Sequence, residues 1–70
     1  MNHANRPLWR HKKRGTVYAE IARGCFQTAD APALDDQMVV IYQLANGSGV
    51  IWVRPAYEFE DGRFERVAPE

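Results

Sequence analysis

Apolar and polar residues alternate through Thr16-Val17-Tyr18-Ala19-Glu20-Ile21-Ala22. This places Val17, Ala19 and Ile21 on one face of a strand and Thr16, Tyr18 and Glu20 on the other. Gly24 interrupts the run as a bulge or bend would, and Cys25 and Phe26 extend the strand beyond it. Residues 27–37 hold Asp30, Pro32, Asp35 and Asp36 with no sustained period, which is the pattern of a loop. Met38-Val39-Val40-Ile41-Tyr42-Gln43-Leu44 is nearly continuous in apolar character and rich in β-branched residues, so it reads as a strand covered on both faces. Asn46-Gly47-Ser48-Gly49 supplies positive-φ positions for a tight reversal, and Val50-Ile51-Trp52-Val53-Arg54 returns as the hairpin partner. Pro55 has no N–H to donate and ends that strand. Ala56-Tyr57-Glu58-Phe59 has room for one helical turn. Asp61-Gly62 signals another reversal, and Phe64-Glu65-Arg66-Val67 alternates as a last short strand.

Four to five short strands with at most one helical turn leave no helix able to cover a sheet face. A sheet of this size then curls on itself to bury its apolar side. The expected fold is all-β, a small SH3-like barrel, with residues 1–14 as a basic, partly mobile N-terminal arm and residues 15–70 as the domain. Seventy residues permit only one domain. A chain of that length buries only about 60% of its unfolded surface, so stability rests on few side chains.

Composition narrows the classes. At 46% hydrophobic and 26% charged, the chain is neither disordered nor fibrous. Its longest purely apolar run, Met38–Tyr42, is far shorter than the roughly 20 residues of a membrane-spanning helix. The opening residues carry no apolar stretch of the secretory kind. Cys25 is the only cysteine, so no internal disulfide forms, and a cytoplasmic setting is expected. One Cys and two His do not make a four-ligand zinc site, and no cofactor is expected.

The net charge of zero conceals a split. Residues 1–23 hold six cations against Glu20, a surplus of +5, and residues 24–70 hold three cations against eight acids, a balance of −5. Such polarity serves either an anionic partner or an arm folded back on its own acidic body.

Particular residues carry a family resemblance. Trp9-Arg10-His11, then Gly15 and Tyr18, then Val39-Val40-Ile41-Tyr42, and above all Ile51-Trp52-Val53-Arg54-Pro55 followed by Phe59 resemble the small bacterial and phage-borne domain family of unknown function numbered 1653. The resemblance spans residues 9–67. It implies an SH3-like β-barrel and no assigned activity. Ile51 stands where Leu is usual, and the step from Arg10-His11 to Gly15 is one residue longer than the common form, so Lys12, Lys13 and Arg14 are read from their own chemistry.

No Gly-rich phosphate loop, paired-His zinc box or Gly-x-Ser-x-Gly elbow is present, and the chain is not expected to be an enzyme. Cys25 with His11 is the one nucleophile–base pairing to weigh. Cys25 follows an apolar strand, however, and is expected to be buried and inert. Trp52 and Arg54, two apart on a strand, share a face. They form either a recognition patch, or a core filler beside an Arg that bonds backbone or Glu58 nearby. The volume of Trp favours the core for Trp52, while Arg54 is balanced between the two. Arg10 to Arg14 beside Trp9 is the minimal footprint for single-stranded nucleic acid, yet the acidic remainder repels a polyanion. An unperturbed His11 titrates near neutrality, so any anion contact it makes weakens as pH rises. Glu58, Glu60, Asp61 and Glu65 lack EF-hand spacing, and no metal is expected.

The sequence therefore predicts a non-catalytic interaction module binding a protein or an anionic ligand through Trp9, Arg10, His11, Trp52, Arg54 and Tyr57. A nucleic-acid accessory factor using the basic arm is the alternative. No membrane partner is expected, and the chain is read as a monomer or a weak homodimer paired through an exposed strand edge.

Overall fold

In the computed structural model, which describes residues 5–67, the two apolar runs at the middle of the chain lie side by side. β2 (Val17–Cys25) runs antiparallel to β3 (Met38–Leu44). After the Asn46–Gly49 reversal, β4 (Trp52–Pro55) pairs with the other side of β3. That reversal needs left-handed backbone at Gly47 (φ 81°) and Gly49 (φ 80°), a region in which a Cβ is strained. The Asn46 Oδ1 accepts the Ser48 N–H at 2.9 Å and fixes the turn. β1 (Leu8–His11) pairs with β2 on one side and with β5 (Phe64–Arg66) on the other. The result is one five-stranded antiparallel sheet in the order β4-β3-β2-β1-β5. A single turn, α1 (Ala56–Glu58), and a wider π-type turn over Phe59–Arg63 link β4 to β5. The chain is thus all-β with one short helix. Among the described residues no ladder joins β4 to β5, and no helix is long and apolar enough to cross a membrane.

Three local expectations are corrected. Residues 8–11, read as part of the basic arm, form a strand paired on both sides, because Leu8 and Trp9 find apolar neighbours on opposite faces of the sheet. The irregularity in β2 falls at Ile21, between Glu20 and Ala22, and not at Gly24, which pairs regularly with Val39. The Ile21 carbonyl, left out of the ladder, accepts a hydrogen bond from Arg6. Pro55 ends β4 from inside it, opposite Val39. An edge strand tolerates this, since the absent N–H need not face a neighbour.

Residues directly opposite each other in the ladders share a face. Trp9, Tyr18, Glu20, Tyr42, Val40, Trp52, Arg54 and Phe64 therefore lie on the inner face, and Leu8, Ala19, Val39, Ile41 and Val53 on the outer. Phe59, fully buried, caps the inner face from the linking turn. It stacks on Phe64 with centroids 4.3 Å apart and meets Trp9 edge-on at 5.0 Å and Tyr42 at 5.2 Å. Burying one such ring contributes up to about 3 kcal/mol, a large share of what so small a domain has. β3 carries buried Val39 and Val40 on opposite faces, so it is covered on both sides as its composition predicts.

Candidate functional site

The inner face leaves a cleft of about 180 Å³ beside the aromatic core. Every strand contributes to it: His11 from β1, Tyr18 from β2, Tyr42 from β3, Trp52 and Arg54 from β4, Phe64 from β5, with Arg14 reaching in from the β1–β2 turn. No acidic side chain lines it.

Arg54 is the best-fixed cation. Its Nε–H donates to the Tyr42 hydroxyl at 3.2 Å, its Nη1 donates to Glu58 at 3.2 Å, and its guanidinium lies 5.8 Å from the centre of the Phe64 ring. The Tyr42 hydrogen bond, with Glu58 behind it, raises the Arg54 pKa against the opposing effect of burial. The pairing with Glu58 is the one its place at the strand end suggests. Glu58 also faces Arg63 at 3.7 Å, so it is shared between two guanidinium groups.

His11 is set by its own turn. The Arg14 N–H donates to His11 Nδ1 at 3.2 Å, the Gly15 N–H to the His11 carbonyl at 2.7 Å, and the His11 N–H to the Thr16 carbonyl at 2.8 Å. Gly15 closes this loop with φ 77°. The imidazole meets the Phe64 ring edge-on at 5.1 Å. Desolvation first, then Arg14, Arg54, Lys13 and Arg63, pull its pKa below the ordinary 6.5. The lowered value favours the neutral imidazole, whose Nδ1 accepts the Arg14 N–H. Arg14 and Arg54 line the same cleft as His11.

Trp52 is 49% exposed, so the expectation of a core filler is overturned. It sits on an edge strand with a neighbour on one side only, opposite Tyr42, and leaves much of its indole at the mouth of the cleft. Tyr42, in the middle of the sheet, takes the buried place.

The other residues singled out from the sequence lie elsewhere. Trp9 is on the inner face but belongs to the packing: it abuts Phe59, its Nε1–H donates to Glu20 at 3.1 Å, and Arg66 lies 5.4 Å above its ring. Arg10 is exposed on the outer face and pairs with Glu65 at 3.3 Å. Tyr57 lines a separate apolar groove of about 270 Å³ with Phe26, Leu34, Val39, Val53 and Pro55. The structure thus brings His11, Trp52 and Arg54 together and leaves Trp9, Arg10 and Tyr57 apart from them. Tyr18, Tyr42 and Phe64 join the site unannounced. Arg14 was part of the basic run weighed from the sequence, but only the turn geometry separates it from Lys12 and Lys13.

Some of the polarity between the halves is consumed internally, since Arg10 meets Glu65, and Arg23 meets Glu60 as well as Glu20. Among the described residues Lys12, Lys13 and Arg14 make no ion pair. Cys25 is exposed, contrary to the expectation of burial, because β2 ends there beside exposed Met38. Its thiol lies 3.7 Å from an Asp36 carboxylate oxygen. Desolvation, then Asp36 and Asp35, push its pKa up, the reverse of what a thiolate nucleophile needs. His11 lies at the other end of β2, roughly 25 Å away at about 3.3 Å per residue, so the two do not form a pair. Among the described residues no three His, Cys, Asp or Glu side chains gather as a metal set.

Compared with known protein families, curated proteins and solved structures, the chain matches none.

Proposed function

We propose that the chain is a non-catalytic interaction module on an SH3-like scaffold, and that its cleft receives a carboxylate or phosphate borne by a partner protein or a small ligand. The observation that carries this reading is that Arg14 and Arg54 line, with His11, a cleft lined by no acid. Arg14 is free of ion pairs among the described residues and offers a guanidinium fork for bidentate contact. Arg54 is already oriented by Tyr42 and Glu58, so little ordering cost falls on binding. The exposed indole of Trp52 supplies a flat apolar wall on which the group's carrier stacks. The neutral His11 adds a donor at Nε2. A reducing, cytoplasmic setting accords with the exposed free thiol. The resemblance to the family numbered 1653 supports the scaffold and suggests no chemistry.

Arg14 and Trp52 are the residues to replace, because among the described residues neither side chain makes a hydrogen bond or ion pair whose loss would confuse the result. Chemical-shift titration with inorganic phosphate and with a glutamate-rich peptide should move the amides of residues 11–15 and 52–54. In Arg14→Ala and Trp52→Ala the affinity should fall about tenfold or more with the melting temperature kept. Unchanged affinity in both variants would overturn the reading.

A second reading, a nucleic-acid accessory factor, has one observation in its favour: Lys12, Lys13 and Arg14 are three consecutive cations with no internal ion pair among the described residues. It requires the affinity for a single-stranded oligonucleotide to fall with salt at a log–log slope of about −2. A flat response removes it.

A further inference from the structure

The two ends of the sheet are unlike. β5 is three residues long, carries exposed Glu65 and Arg66, and has Arg10 paired to Glu65 across it. Charge and brevity are the usual guards of an open sheet edge. β4, at the other end, is also short and ends on Arg54 and Pro55, but the stretch that leads into it and its first half have no charge. Val50, Ile51, Trp52 and Val53 carry no charge and are 62%, 56%, 49% and 58% exposed. Phe26, Leu34 and Tyr57 line the 270 Å³ groove together with Val53 and are also exposed. Of the large exposed apolar residues described in the chain, only Trp52 and Met38 lie on the inner face; the others belong to this edge and its groove.

We infer that the β4 edge and the adjoining apolar groove form a two-fold interface with a second copy of this chain. Antiparallel pairing of β4 with its counterpart would extend two five-stranded sheets into one of ten strands. Val53 lies on the outer face and lines the groove, so it meets its counterpart there and the two grooves join, with exposed Ile51 just before the strand. Three observations select a second copy as the occupant. An isologous contact places each residue near its own kind, which penalises charge, and Val50–Val53 has none. At about half exposure each of the six side chains offers on the order of 100 Å², so a two-fold contact buries about 1,200 Å² in all, the lower end of specific interfaces. A patch of that size stands at the upper end of what monomers leave in water. The only charge on β4, Arg54, points to the inner face and is tied to Tyr42 and Glu58, so it does not oppose the approach.

Sedimentation velocity over a concentration series tests this. The wild-type chain should pass from a species of 8.0 kDa to one of twice that mass and stop there. Val53→Lys and Ile51→Lys should each weaken the association at least about tenfold. Both positions are exposed, and circular dichroism confirms that the fold persists, so one variant serves if the other misfolds. Either of two results would overturn the inference: a single 8.0 kDa species at millimolar concentration, or association unchanged in both variants. Binding of a monomer to phosphatidylcholine vesicles, with no self-association, would assign the patch to a lipid surface and refute it equally.

Discussion

Removing one oxygen atom tests how the cleft is organised. Tyr42 is 5% exposed, and its ring touches Tyr18, Phe59 and Phe64 at centroid distances of 5.3, 5.2 and 5.7 Å. Its hydroxyl accepts the Arg54 Nε–H at 3.2 Å. Tyr42→Phe keeps the packing and deletes only that contact. A hydrogen bond to a charged group contributes about 1.5–3 kcal/mol. The Arg54 side chain is 28% exposed, so water partly replaces the lost acceptor and the lower end, about 1–1.5 kcal/mol, applies. For a domain of this size each kcal/mol moves the melting temperature by about 4–8 °C. Calorimetric melts should therefore place Tyr42→Phe about 4–12 °C below wild type. Arg54→Met should remove the same bond from the other side, so the double variant should lose about 1 kcal/mol less than the two single losses combined. A shift under 1 °C, or strict additivity, would refute the view that Tyr42 positions Arg54.

Two further outcomes follow from the same geometry. Phe59→Ala leaves a void between Trp9, Tyr42 and Phe64 and should cost about 3–5 kcal/mol, comparable to the whole stability of a small domain; a cooperative melt within 5 °C of wild type would contradict it. His11 has a lowered pKa in the folded state, so the unfolded chain binds more protons as pH falls below 6.5, and its contribution, complete above 6.5, is lost on acidification. Melting temperature should drop between pH 7.5 and pH 5, and His11→Gln should flatten that segment of the profile; an unaltered profile would dismiss the effect.

The strands were readable wherever a residue's neighbours in sequence decide its conformation. β3 declares itself through β-branched content, and the Asn46–Gly49 and Asp61-Gly62 turns through residues that accept positive φ. β1 was hidden because Leu8-Trp9-Arg10-His11 has too few apolar positions to show a period, and its strand character comes from partners in β2 and β5. The place of the bulge was hidden for a similar reason: Ile21 is β-branched and suits a regular strand, while Gly24 looks like an interruption and is not one. In the site, the His11, Trp52 and Arg54 residue types were visible as chemistry. Which tryptophan would be buried was not, since that depends on strand order: Trp9 faces Phe59 from a central strand, and Trp52 stands at an edge.

Strand order also governs when the structure comes into being. β1 sits between β2 and β5, and its Arg10 faces Glu65 across 55 positions of sequence. Phe59 and Phe64, two of the three buried aromatic rings among the described residues, lie in the same late stretch. While the chain is being made from its N-terminus, β1, β2 and β3 can assemble, but β1 keeps an open edge and the inner face keeps Tyr42 and Val40 wet until the last strand emerges. The inner face therefore closes only once residues 59–66 are in place, however early the other strands have paired.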